Sequence, residues 1–85
     1  MERPISEKRA TFRYRTNRAA RIIWAENRME CVVRDLSTKG ARIEIASTDR
    51  IPDDFFLLVQ GQNDKFRCHV RWRGRNTLGV QYLYD

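Results

Sequence analysis

Arg9 and Arg13 stand four positions apart in the stretch Lys8-Arg9-Ala10-Thr11-Phe12-Arg13, and further along the chain comes Asp35-Leu36-Ser37-Thr38-Lys39-Gly40. A guanidinium is a planar, permanently charged fork that grips phosphates and guanine edges through two parallel hydrogen bonds and stacks on flat rings, which a flexible ammonium does poorly. Arginine outnumbers lysine fourteen to three in this chain. Taken alone, each stretch is ordinary. Two arginines four apart arise by chance among fourteen, and Asp-x-Ser-x-x-Gly is a sound strand-to-strand turn, in which Asp and Ser cap backbone amides and Gly accepts a positive φ.

The placement of charge says more than its total of +6. Residues 1–21 hold seven bases against two acids, a net of +5, while the remaining positions hold ten bases against nine acids. Such a concentrated, arginine-dominated segment points to an anionic partner. By charge alone, a solvated tail that serves solubility explains it equally well.

Catalytic chemistry finds little support. His69 is the sole histidine and sits among charged residues, with no Ser or Cys nucleophile at a motif spacing. Asp53, Asp54 and Asp64 fall in turns, where aspartate is common. No phosphate-binding glycine loop, dinucleotide fingerprint or HExxH pair is present. The chain is therefore expected not to be an enzyme. Cys31 and Cys68 lack the spacing of a zinc site and are expected to be buried, unpaired thiols. No apolar run approaches the length of a membrane span, and the charged start MERPISEKRATFR does not fit a secretory signal, so a cytoplasmic protein without membrane insertion is expected.

The elements that must position these residues are strands. In Lys65–Arg73, Phe66, Cys68, Val70 and Trp72 fall on one face and Lys65, Arg67, His69, Arg71 and Arg73 on the other, the period-two pattern of a half-buried strand. Ala41, Ile43 and Ile45 repeat it, as do Leu78, Val80 and Tyr82. Three further β-rich runs cover Arg21–Ala25, Glu30–Leu36 and Phe55–Gln60. Turn chemistry separates all six, at Glu26-Asn27, Ser37–Gly40, Ile51–Asp54, Gly61–Asp64 and Gly74–Asn76. Six short strands in one small domain favour a closed antiparallel β-barrel, because closure removes exposed sheet edges. Residues 1–17 are read as a flexible basic N-terminal arm outside the barrel, and residues 18–85 as the all-β barrel.

The two motifs, in this order and spacing at the front of a small β-barrel, resemble the PilZ domain, a family recognised by an RxxxR arm motif followed by (D/N)xSxxG. GARIEIAS follows the second motif as a strand, and HVRWRGRNTLGVQYLYD is similar to the family's closing hairpin, so the resemblance spans nearly the whole chain. Lys8 departs from the pattern: many members place an arginine there, so the charge is kept and the fork is lost. In the family that neighbourhood bears on whether one ligand or an intercalated pair is held.

The resemblance implies a receptor for cyclic di-GMP, a bacterial second messenger, with no further cofactor and with a protein target downstream. Lys8, Arg9, Arg13, Asp35, Ser37 and Gly40 are the ligand-binding residues it implies. Residue chemistry fits this reading. Guanine shows two acceptors, O6 and N7, on one edge, which an arginine fork bridges with about 1 to 3 kcal/mol of discrimination in DNA. Its other edge presents N1–H and an amine, for which the Asp35 carboxylate is an acceptor. The Ser37 hydroxyl suits a phosphate or base, and Gly40 leaves the turn unobstructed. The arm would then order over the ligand and change the surface. Two rivals remain: a nucleic-acid-binding barrel whose arm, with Arg67, His69, Arg71 and Arg73, tracks a phosphate backbone, and a PilZ protein-interaction module without ligand.

Overall fold

The computed structural model describes residues 14–83, all in strands and the turns between them. Strands β1 (Tyr14–Trp24), β2 (Asn27–Leu36), β3 (Gly40–Glu44), β4 (Asp54–Val59), β5 (Phe66–Arg73) and β6 (Thr77–Tyr82) close into one barrel in the order β1-β2-β3-β6-β5-β4. Every neighbouring pair is antiparallel. The expected all-β barrel of six strands is the observed one.

Side chains of alternating parity fill the interior, because successive residues of a strand point to opposite faces. Ile22, Val33, Ile43, Leu57, Val59, Cys68 and Leu78 are essentially inaccessible to solvent, so the innermost layer draws on all six strands. Burying a side chain of this size stabilises by about 1.5 to 3 kcal/mol. Phe66 and Tyr82 stack near one end with ring centroids 5.0 Å apart. Beside the β5–β6 turn, the Thr48 hydroxyl donates to the Gly74 carbonyl at 2.6 Å. There too the Arg73 guanidinium donates to the carbonyls of Thr48 and Ile51, each at 2.8 Å, and to the Asp53 carboxylate. Both expected thiols are buried and free, and burial pushes each pKa up to about 12.

Three expectations need correction. β1 is far longer than Arg21–Ala25: it begins at Tyr14, so residues 14–17, counted above with the arm, belong to it, Tyr14 and Arg15 pairing with β2 and Thr16 and Asn17 falling in a bulge. Ala25 leaves the strand and, with Glu26, forms the two-residue turn between Trp24 and Asn27, at a φ of 49°. Trp72 does not share the inward face of β5; it lies outside the barrel and is 50% exposed. The reason is a bulge: Val70 pairs with Val80 but Trp72 with Gly79, so β5 spends two residues where β6 spends one. An extra residue inverts the parity of everything after it.

Candidate ligand-binding site

The Asp35–Gly40 motif closes β2 and opens β3. Val33 is inward, and two residues later Asp35 should be inward too. It is not, because β2 also carries a bulge: Val33 pairs with Ile43 and Asp35 with Arg42, leaving Arg34 as the extra residue. Directly opposed residues of an antiparallel pair share a face. Asp35 therefore stands with Arg42 on the outside of the barrel. β1 is bulged at the same level, between Arg15 and Arg18, and Arg15 pairs with Asp35. Continuing around the ring, Arg42 pairs with Gly79 and Gly79 with Trp72. One register row across five strands thus reads Arg15, Asp35, Arg42, Gly79, Trp72, all facing outward.

From Asp35 to Trp72 this row floors an open hollow of about 260 Å³, lined by Asp35, Ser37, Gly40, Arg42, Arg71 and Trp72 among others. Arg42 Nε donates to the Asp35 carboxylate at 2.5 Å, and Arg71 donates to Gln81 at 2.6 Å. The Asp35 side chain is 20% exposed and that of Arg42 43%, so the carboxylate is held at the edge of the hollow with the guanidinium beside it in solvent. The indole of Trp72 lies over Gly79: a Cβ on Gly79 would meet its Nε1 at 2.0 Å. Without a side chain at 79, the ring packs against the β6 backbone and stays half exposed.

The motif residues have different jobs. The Ser37 hydroxyl accepts from the backbone N–H groups of Lys39 and Gly40, both at 3.1 Å, and donates to the Gly40 carbonyl at 3.2 Å. It is spent on shaping the turn. Gly40 is required for a reason other than the expected positive φ, since Gly61 is the described glycine with that geometry. A Cβ at Gly40 would lie 2.0 Å from the Val80 carbonyl oxygen, so the glycine is what lets β3 approach β6. Lys8, Arg9 and Arg13 lie outside the described residues. Sequence reasoning missed Arg42, Gly79 and Trp72. A glycine inside an alternating strand often marks a close approach, and Gly79 was the available signal.

His69, expected on the solvent face, lies there with Nδ1 2.8 Å from the Asp54 carboxylate. Among the described residues, no three His, Cys, Asp or Glu side chains gather as a metal site, and no helix is long and apolar enough to cross a membrane. A comparison with curated proteins finds no match. A comparison with family models matches residues 7–85 to the PilZ domain. The match takes in both motifs, all six strands and the outward row between them, and the chain belongs to the PilZ domain family.

Proposed function

We propose that this protein is a receptor for cyclic di-GMP that binds on the outer face of β2, β3, β6 and β5. The family is one of binding and adaptor modules. The observation that carries the reading is the register row, which sets a carboxylate, a guanidinium and an exposed indole side by side at the level where β1 begins. Guanine needs each of these. Its N1–H and amine donate to the Asp35 carboxylate, its O6 and N7 accept from an arginine fork, and its ring stacks on Trp72, a contact worth about 1 to 3 kcal/mol per base. Arg42 and Arg71 supply positive charge for the phosphates.

Connectivity supports a part for the RxxxR motif. Tyr14 pairs with Leu36, within the second motif, and Arg13 is peptide-bonded to Tyr14. One Cα step of about 3.8 Å therefore separates Arg13 from a residue already at the site, and a span of at most about 18 Å reaches from Tyr14 to Arg9. Both arginines are tethered within reach of a ligand on the row. The bases invoked for a nucleic-acid track are, by contrast, split by the β5 bulge. Arg73 pairs with inward Leu78 and holds the loop at Thr48–Asp53, and His69 holds Asp54.

Calorimetric titration with cyclic di-GMP, beside GTP, GMP, cyclic di-AMP and a short single-stranded oligonucleotide, tests the proposal. Saturable binding of cyclic di-GMP is expected, with cyclic di-AMP weaker by several-fold to about a hundredfold, because its N6 amine places a donor where guanine has an acceptor. Equal affinity for the two dinucleotides, or preference for the oligonucleotide, overturns it.

A further inference from the structure

Across the strand ring from β3 lies β4, and its outward face carries an unexplained apolar surface. Inward Phe55, Leu57 and Val59 alternate with outward Asp54, Phe56 and Leu58, so the exposure of Phe56, at 38%, is built into the strand. Ile23 of β1 and Arg67 of β5 flank Phe56 in register. Below it a hollow of about 340 Å³ sinks between Trp24, Phe56 and Leu83.

The rim of this surface is basic. The Lys65 ammonium sits 5.3 Å from the centre of the Phe56 ring, Arg67 borders the hollow, and Arg28 stands opposite Ile23. Of the acids nearby, Asp54 is engaged with His69 and Glu30 with Arg21, while Glu26 and Asp64 stand in the flanking turns. We propose that this face docks an acidic segment of a partner protein, with one aromatic or leucine side chain inserted in the hollow and flanking Asp or Glu residues meeting Lys65 and Arg28. Charge selects this occupant over a second copy of the chain, which carries +6 and would set like charges together. Shape selects it over a lipid surface, because a concave hollow receives a side chain whereas membrane docking needs apolar groups that project. The inference goes beyond the dinucleotide reading and stands without it.

Panning a phage-displayed library of random peptides on the full chain, in the absence of any nucleotide, tests the face directly. The enriched consensus is expected to hold an aromatic residue or leucine flanked by acids. A synthetic peptide of that consensus should bind Phe56→Asp and Lys65→Glu at least about tenfold more weakly than the unmodified chain in fluorescence polarisation. Both positions are solvent-exposed, so both variants should keep the parent's circular dichroism and melting temperature. A neutral or basic consensus, no enrichment, or equal binding to both variants overturns the proposal. So does co-sedimentation with vesicles half composed of phosphatidylglycerol, or a dimer in analytical ultracentrifugation, if Phe56→Asp abolishes it.

Discussion

The β1–β4 seam and the β2–β3–β6–β5 quarter are built from the same kind of strand, yet they differ in register. From Ala20–Val59 to Ile23–Phe56 the seam pairs residue for residue without interruption. The other quarter holds bulges in β2 and β5, and β1 is bulged where it meets β2 beside Asp35. In the regular part, apolar alternation and burial agree. In the bulged part they disagree, and the disagreement is what turns Asp35 and Trp72 outward into one row. Bulges re-aim side chains in this way, so the barrel uses regular pairing for its core and interrupted pairing for the candidate site.

The largest effect should come from Gly40, the glycine that brings β3 against β6. Gly40→Ala drives a Cβ against the Val80 carbonyl, a backbone atom held in the β3–β6 ladder. Overpacking that cannot be relieved by a rotamer costs about 3 kcal/mol. Gly79→Ala meets an indole that is half exposed and able to swing outward, so its stability loss should stay below about 1 kcal/mol. Urea denaturation of the two variants measures the contrast. Equal losses would mean that Trp72 is as fixed as backbone.

Trp72→Ala and Gly79→Ala should both weaken cyclic di-GMP binding, by about 1 to 3 kcal/mol if the indole stacks on a base, with little effect on melting. Arg9→Ala and Arg13→Ala should each cost at least about tenfold in affinity and likewise leave unfolding of the free protein nearly unchanged. The same titrations on Leu58→Ala, on the regular face, should show no change. A loss there equal to that at Trp72 would erase the distinction between the two faces.

The inward sets Ala41, Ile43, Ile45 and Leu78, Val80, Tyr82 were legible in the sequence because one face of each strand meets the core throughout. The outward facing of Trp72 and Asp35 was not, since an inserted residue has no side-chain signature and simply inverts parity from that point on. The early start of β1 was hidden for a related reason: Arg15, Thr16 and Asn17 show no apolar alternation, and the strand's start rests on the backbone pairing of Tyr14 and Arg15 with β2, ahead of the bulge at Thr16 and Asn17. At the site, the turn-forming residues could be read and Asp35 with them. Arg42, Gly79 and Trp72 could not, because only the closed register brings three strands to one level.

The thiols probe the regular core by pH. With both pKa values raised from 9.0 to about 12, the folded barrel keeps protons that the unfolded chain releases above pH 9. The stability this represents is present in full below that pH and is lost as pH rises toward 12. Melting temperature should accordingly fall across this interval, and Cys31→Ala with Cys68→Ala should flatten the fall while lowering stability at neutral pH. A slope unchanged in the double variant would assign the alkaline loss to other groups.

The smallest effect concerns the one strained residue of the regular hairpin. Ala25 holds a φ of 49°, a left-handed conformation that suits the twist of a two-residue hairpin turn but costs a residue with a Cβ about 1 kcal/mol. Glycine removes that cost and adds back part of it through the greater freedom of the unfolded chain. Ala25→Gly should therefore stabilise by a few tenths of a kcal/mol, up to about 0.5, and Ala25→Asn should do so as well, since asparagine tolerates the same region. Ala25→Val should destabilise, because a branched Cβ worsens the contact with the neighbouring carbonyl. All three changes sit across the barrel's length from the bulged row and should leave ligand affinity untouched. If Ala25→Gly lowered the urea midpoint, the turn would not hold its left-handed residue in solution, and the regular hairpin would have a different register from the one that places Arg15 beside Asp35.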